Sequence, residues 1–267
     1  MNGFALYGRY VATSLSAQAQ YPTATLMLTA GHCAATAIEI LGVFALFDRF
    51  GPVGGWSFGE AALFYALVNI TFSIADMLSR GFEVFGTDFV RTGAFDRVLL
   101  RPRAAALQLA GYEVRLSRLG RFLQAFAVLI LATSLVPIHW NAATVAIAVW
   151  AVAGGVALFL AILILQATLA FWTVESLEVA NVLTYGGVQA AQYPLNIYAA
   201  WFRRLLTFGV PLACVAYYPV LAILKRPDPL GAPDWLLPFT PLAGFAFLAV
   251  SFLAWRAGMA RYASTGS

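Results

Sequence analysis

Long apolar runs, interrupted by short polar or turn-rich stretches, set the pattern of this chain. A helix needs about 17 to 25 predominantly apolar residues to cross a bilayer core. Six stretches meet that length: 25–47, 59–78, 122–138, 142–172, 205–224 and 236–255. Apolar and polar residues do not alternate as they do in a barrel strand. The pattern therefore predicts an all-α integral membrane protein with six transmembrane helices in a single domain, 1–267. Stretches 48–57 (DRFGPVGGWS), 137–141 (PIHWN) and 225–235 (KRPDPLGAPDW) separate spans with proline and glycine, which end helices. Trp56, Trp140 and Trp235 fall at this boundary, where an indole sits at headgroup level.

Composition narrows the picture further. Apolar residues make up 61% of the 267 and charged residues only 10%, against roughly a quarter charged in a soluble domain. That balance excludes a soluble enzyme, a disordered chain and a nucleic-acid-binding module. The net charge of +4 then reports topology. Arg80, Arg91, Arg97, Arg101, Arg103, Arg115, Arg118 and Arg121 lie between the second and third spans, half of the sixteen basic residues. With Arg9, Arg203, Arg204, Arg256 and Arg261 they put thirteen basic residues on one side, against Arg49, Lys225 and Arg226 on the other. Cytoplasmic loops carry the basic excess, so both termini are expected in the cytoplasm. The first twenty residues hold no continuous apolar core, which predicts a retained first span and no cleaved leader. Phe4, Tyr7, Val11 and Leu15 recur there at helical spacing, the pattern of an interfacial helix over 1–22 that Pro22 turns into the bilayer.

Few residues offer chemistry. Leu28-Thr29-Ala30-Gly31-His32-Cys33 has the letters of a serine-protease histidine motif but lies inside a span, with no nucleophile loop to serve it. Cys33 and Cys214 read as small buried hydrophobes, and His32 and His139 are too isolated to make a metal site. There is no phosphate-binding GxxxxGK[ST] loop. Glu39 lies well inside the first span, and an intramembrane carboxylate faces the bundle interior or a water-filled path. Glu39 is thus a candidate for a substrate path or a subunit contact. Asp76 is expected to pair with Arg80 at i+4, and Glu60 to be wet. Tyr217 and Tyr218 flank Pro219 in the fifth span, where Pro211 and Pro219 free backbone carbonyls; they are further path candidates. Glu175, Glu178 and Asn181 add polarity beyond the fourth span.

The most distinctive stretch is 82–103, FEVFGTDFVRTGAFDRVLLRPR. Phe82, Phe85, Phe89 and Phe95 interleave with Asp88, Arg91, Asp96, Arg97 and Arg101. This reads as an amphipathic element made to dock on something in the cytoplasm. Arg91-Thr92-Gly93-Ala94-Phe95-Asp96 followed by Leu99-Leu100-Arg101-Pro102 resembles the G-x-F-D…L-R-P signature of one group of ABC-2 type transporter permeases. Phe171-Trp172, Pro194, the Pro211/Pro219 span, the chain length and the six-span layout resemble that group as well.

The resemblance implies an ABC-2 exporter-like fold with an N-terminal interfacial helix and a coupling helix within the cytoplasmic region 80–121. It implies a permease that has no ATPase domain and binds no cofactor of its own, ATP and Mg being held by two separate ABC ATPase subunits. A second permease, identical or paralogous, completes the path across the bacterial inner membrane. The substrate class would be hydrophobic or amphipathic: lipid, glycan, peptide or drug. The residues carried over as ATPase-coupling are Phe85, Phe89, Arg91, Gly93, Phe95, Asp96, Arg97, Arg101 and Pro102, with the aromatic rings as the grip. The alternative is an ion-gradient-driven secondary transporter or channel, for which Glu39 is the best placed acid. A membrane-embedded enzyme would need clustered catalytic side chains, and a non-transporting scaffold differs only in lacking transport.

Overall fold

Proline and short polar side chains fix where the first helices start. A helix over Gly3–Ala19 (α1) ends just before Pro22, which occupies the first turn of α2 (Pro22–Phe50), where its missing N–H is no loss. Helix α2 stops at Gly51, whose φ of 72° suits glycine. Ser57 and Glu60 form a reciprocal capping box at the start of α3 (Phe58–Leu78). The computed structural model describes residues 3–173 and 177–262, and Glu175 lies outside them, as do the side chains of Phe4, Glu178 and Asn181.

After α3 come the short helices α4 (Arg80–Glu83), α5 (Ala94–Leu99) and α6 (Ala105–Ala110), with a π-helical turn at Phe85–Val90 between the first two. Two long helices follow, α7 (Leu119–Leu135) and α8 (Ala142–Leu169), the latter capped by Asn141. Then come α9 (Leu177–Ala191), α10 (Ala200–Arg204), a second π-helical turn at Leu205–Gly209, α11 (Leu212–Val215), α12 (Tyr217–Leu224) and α13 (Leu242–Met259). Among the described residues, five helical segments are long and apolar enough to cross a membrane: Pro22–Phe50, Phe58–Leu78, Leu116–Leu135, Ala142–Leu169 and Leu237–Met259. Helix α3 is buried along most of its length and forms the centre. Helices α2 and α7 leave leucine, isoleucine and phenylalanine side chains exposed, as lipid-facing surfaces do.

The expected fifth span, 205–224, is not a straight crossing. The segments Ala200–Gly209 and Leu212–Leu224 meet at a 70° bend, where Pro211 withholds a backbone N–H. Both ends of this segment reach the same loop. Before it, Asn196 accepts a hydrogen bond from Trp56 Nε1 (2.9 Å) and donates to Gly54 O (3.1 Å). After it, Arg226 donates to Gly55 O (2.9 Å) and lies 4.1 Å over the Trp56 ring. A chain that leaves and returns to loop 51–57 enters the bundle and turns back, so residues 200–224 form a re-entrant hairpin. After α8 the chain returns to loop 51–57 through α9 and residues 192–196. At one end Phe171 packs beside Phe85 (5.1 Å), and Tyr185 of α9 sits 5.6 Å from Phe72, in the half of α3 nearest the arginine-rich side; at the other, Asn196 holds loop 51–57. Arg203 and Arg204 thereby follow the loop-51–57 side of the chain, and the basic imbalance becomes eleven against five.

Small residues let the long helices approach. A Cβ on Gly244 of α13 would collide with the backbone of Gly154 on α8, and one on Gly120 of α7 with the backbone of Thr29 on α2. Gly244→Ala is therefore expected to lower the melting temperature in detergent. Gly42→Ala, with nothing within 4 Å of its Cβ, is expected to be neutral or stabilising through its helix propensity. Equal effects at the two sites would remove the close-crossing account.

Candidate coupling site

On the arginine-rich side the chain from 80 to 112 folds into a compact cap on the ends of α8 and α13. Its core is a cluster of rings. Phe85 lies 4.9 Å from Phe95, 5.0 Å from Trp255 of α13 and 5.1 Å from Phe171 just after α8. Phe95 meets Tyr262 at 5.0 Å, and Phe82 packs edge-on to Trp255 at 5.8 Å. Such edge-to-face pairs are each worth about 0.5–1.5 kcal/mol beyond burial. Phe85 and Phe95 have no exposed surface and Phe89 almost none. This corrects the expectation that these rings grip a partner: they face inward because a ring cluster on a polar loop has its own helix ends to bury against. The cap is welded to the spans, and its outer face is left to other residues.

That outer face is formed by Arg91, Thr92, Arg97, Leu99, Leu100, Arg101, Pro102 and Arg103, all exposed. Leu100 is 84% exposed and Leu99 47%. In the sequence these two leucines figure only as letters of the loop signature and not among the coupling residues. Gly93 opens α5 with a φ of 69°, a left-handed conformation that favours glycine. The Thr92 hydroxyl donates to Asp88 O (2.6 Å), tightening the same turn. Beyond α5, the buried Gln108 amide donates to Val98 O (3.0 Å) and Arg103 O (3.2 Å), fixing the turn that carries Leu100 to Pro102. Asp96 faces back toward the cap and accepts a hydrogen bond from the Tyr262 hydroxyl (3.0 Å). Burial, reinforced by this bond, raises the Tyr262 pKa above its ordinary value. The phenol therefore remains a donor throughout the neutral range, and the bond is lost only as pH rises past that raised value. Gln108 and Tyr262 shape this candidate site, and no motif marked them.

Two further ties hold the cap. Arg80, Glu83, Arg115 and Glu113 form a closed ring of alternating charge, with contacts of 3.1, 3.6, 3.7 and 3.9 Å. Helix α1 binds the chain beyond it: Ser14 Oγ accepts from Val114 N (2.9 Å), and Gln18 accepts from Leu116 N (2.9 Å) and donates to Val114 O.

The intramembrane candidates lie elsewhere. The Glu39 carboxylate pairs with Arg121 at 3.7 Å, and Arg121 also lies 5.1 Å over the Phe72 ring. Asp76 pairs with Arg118 at 3.0 Å, not with Arg80, whose guanidinium is turned to Glu83. Arg118 in turn lies 3.5 Å from His32 Nε2. Glu60 is tied to Arg226 at 2.9 Å as well as to its cap, so it is not simply wet. Tyr217 is buried against Phe64 and Trp56 and donates to Asp228 (2.8 Å), which fastens the hairpin to its exit loop. Tyr218 is half-buried, its ring 5.3 Å from that of Tyr217. Glu39 and the two tyrosines are therefore not brought into one site. Cys33 and Cys214 are free thiols. Among the described residues no three His, Cys, Asp or Glu side chains gather as metal ligands.

The family described as ABC-2 family transporter protein matches residues 33–266. No curated protein and no solved structure matches.

Proposed function

The chain belongs to the ABC-2 transporter family, and on that premise we propose that it is the permease subunit of an ATP-driven transporter whose ATP and Mg are bound and turned over by separate ABC ATPase subunits. The arginine-rich side is the cytoplasmic one, and both termini lie there. The outer face of the cap, centred on Arg97, Leu99, Leu100 and Arg101, is the docking surface for the ATPase. The observation that carries this reading is the pairing of an exposed arginine-and-leucine ridge with a buried ring cluster anchored on α8 and α13. Leucines offer an apolar anchor and arginines orientation, the division of labour of an interface centre and its rim. Closure of two ATPase subunits then moves each cap as a rigid body, and Phe171 and Trp255 pass that motion to the spans.

A second permease, identical or paralogous, completes the path. The cargo is an amphipathic or hydrophobic molecule exported across a bacterial inner membrane. Glu39 and Asp76, acids within the long apolar spans, both have arginine partners, which favours an ATP-driven machine over one coupled to protons or sodium.

The test is co-purification from native membranes followed by an ATPase assay. An ABC ATPase is expected to accompany the wild-type chain. Leu100→Asp and Arg97→Glu are each expected to reduce its recovery, or to uncouple ATP turnover from transport, by at least tenfold, about 1.4 kcal/mol of interface energy. Wild-type assembly and transport in both variants would sink the docking assignment.

A further inference from the structure

The ion pair between Glu39 and Arg121 is left open. Its charged atoms lie 3.7 Å apart, beyond the reach of a hydrogen bond. Among the described residues no acceptor takes a hydrogen bond from the Arg121 guanidinium, a group with several donors to place. Neither side chain is shut away: Arg121 is 15% exposed and Glu39 32%. The Asp76–Arg118 pair, by contrast, meets at 3.0 Å. The frame around the open pair is fixed by other contacts. Arg121 lies 5.1 Å over the Phe72 ring of α3. The Tyr65 hydroxyl donates to Thr36 O (2.7 Å), pinning α2 to α3 one turn from Glu39. Gly120 sets the close crossing of α2 and α7 beside them. The helices thus bring the two charges near each other without joining them.

What can enter follows from charge. An anion that took Arg121 for itself would leave Glu39 uncompensated, and a cation that took Glu39 would do the same to Arg121. A guest that carries both charges satisfies both residues. We infer that Glu39 and Arg121 part to bracket the zwitterionic headgroup of an amphipathic cargo, with Arg121 donating to its anionic group and Glu39 accepting from its ammonium group. The place fits such a molecule. Arg121 stands five residues into the span Leu116–Leu135, about 7.5 Å from its arginine-rich end and so just inside headgroup level. On α2, Ala35, Gly42 and Leu46 stand at i−4, i+3 and i+7 from Glu39, on its own face, and all three are exposed. Gly42 has nothing within 4 Å of its Cβ position. That apolar strip is open to the body of the molecule. The inference rests on the reading of the chain as a permease for an amphipathic cargo, and adds the charge of its headgroup.

Native mass spectrometry of the full chain tests the site. The protein is equilibrated with equimolar phosphatidylethanolamine and phosphatidylglycerol of equal chain length, since only the first carries an ammonium beside its phosphate. The wild type is expected to retain phosphatidylethanolamine in about tenfold preference. N-acetyl phosphatidylethanolamine, which keeps the phosphate and loses the ammonium, should be held no better than phosphatidylglycerol. Glu39→Gln, which frees Arg121 for an anion, should turn the preference toward phosphatidylglycerol. Glu39→Gln combined with Arg121→Gln, which removes both charges and orphans neither, should abolish it. Equal retention of the two lipids by the wild type would overturn the proposal, as would a preference that survives in the double variant. A second arm separates cargo from resident lipid. In proteoliposomes with the co-purified ATPase, phosphatidylethanolamine is expected to raise ATP turnover in the wild type and not in the double variant. Turnover indifferent to the lipid would overturn the assignment as cargo. Absence of an ATPase would count against the permease reading and not against the site, because retention is read on this chain by itself.

Discussion

Arg118→Leu is expected to destabilise the folded chain by about 3–5 kcal/mol, read as a large fall in melting temperature in detergent. The Asp76 and Arg118 side chains are 5% and 14% exposed, and their charged atoms lie 3.0 Å apart. Removing one member of a buried pair leaves the other charge uncompensated, at a cost of about 3–5 kcal/mol. Insertion scales give about 2.5–3.5 kcal/mol for a lone carboxylate at the bilayer centre. The pair joins α3 to the start of α7, and His32 of α2 sits against the same guanidinium, so three spans lose a common fastening. The decisive comparison is Asp76→Leu combined with Arg118→Leu. With no orphaned charge left, the double variant should recover much of the lost stability. A double variant as unstable as the sum of the single ones would mean that the two residues do not act as a pair.

Phe85→Ala is expected to cost a further class of stability, about 3–5 kcal/mol, concentrated in the cap. Phe85 is fully buried and touches Phe89, Phe95, Phe171 and Trp255, so its removal leaves a hole at the centre of the cluster. The helical spans do not depend on it, and membrane insertion should persist. On the docking model, ATP turnover continues while transport falls, because the ridge no longer rides on a seat fixed to α8 and α13. Phe85→Leu, which keeps most of the volume, should restore much of both. A Phe85→Ala chain that protects its cap from proteolysis as well as the wild type does would contradict the central place given to this ring.

Hydrophobic pattern alone made five crossings legible, since α2, α3, α7, α8 and α13 are long and apolar. It missed α9, whose Glu178, Asn181 and Gln189 break the apolar run. The same pattern mistook 205–224 for a crossing, because apolar content says nothing of direction. Only Asn196 and Arg226, meeting at loop 51–57, give the hairpin away. In the cap, the alternation of phenylalanine and arginine was visible, and its sense was inverted. Sequence cannot say whether rings point to a partner or to the chain's own helix ends, and Trp255 and Phe171 lie far along the chain. The family, by contrast, was readable in the letters themselves.

The clasp on loop 51–57 has a consequence for how the protein is made. Its bonds span 142 residues at Asn196 and 171 at Arg226, so they close only when most of the polypeptide has left the ribosome. Until Arg226 emerges, the hairpin has no anchor for its returning arm, and the carbonyls freed at Pro211 and Pro219 have no settled surroundings. A nascent chain truncated just short of Arg226 therefore carries an unfastened, helix-broken segment in the bilayer, a mark by which membrane quality control can tell an unfinished subunit from a finished one.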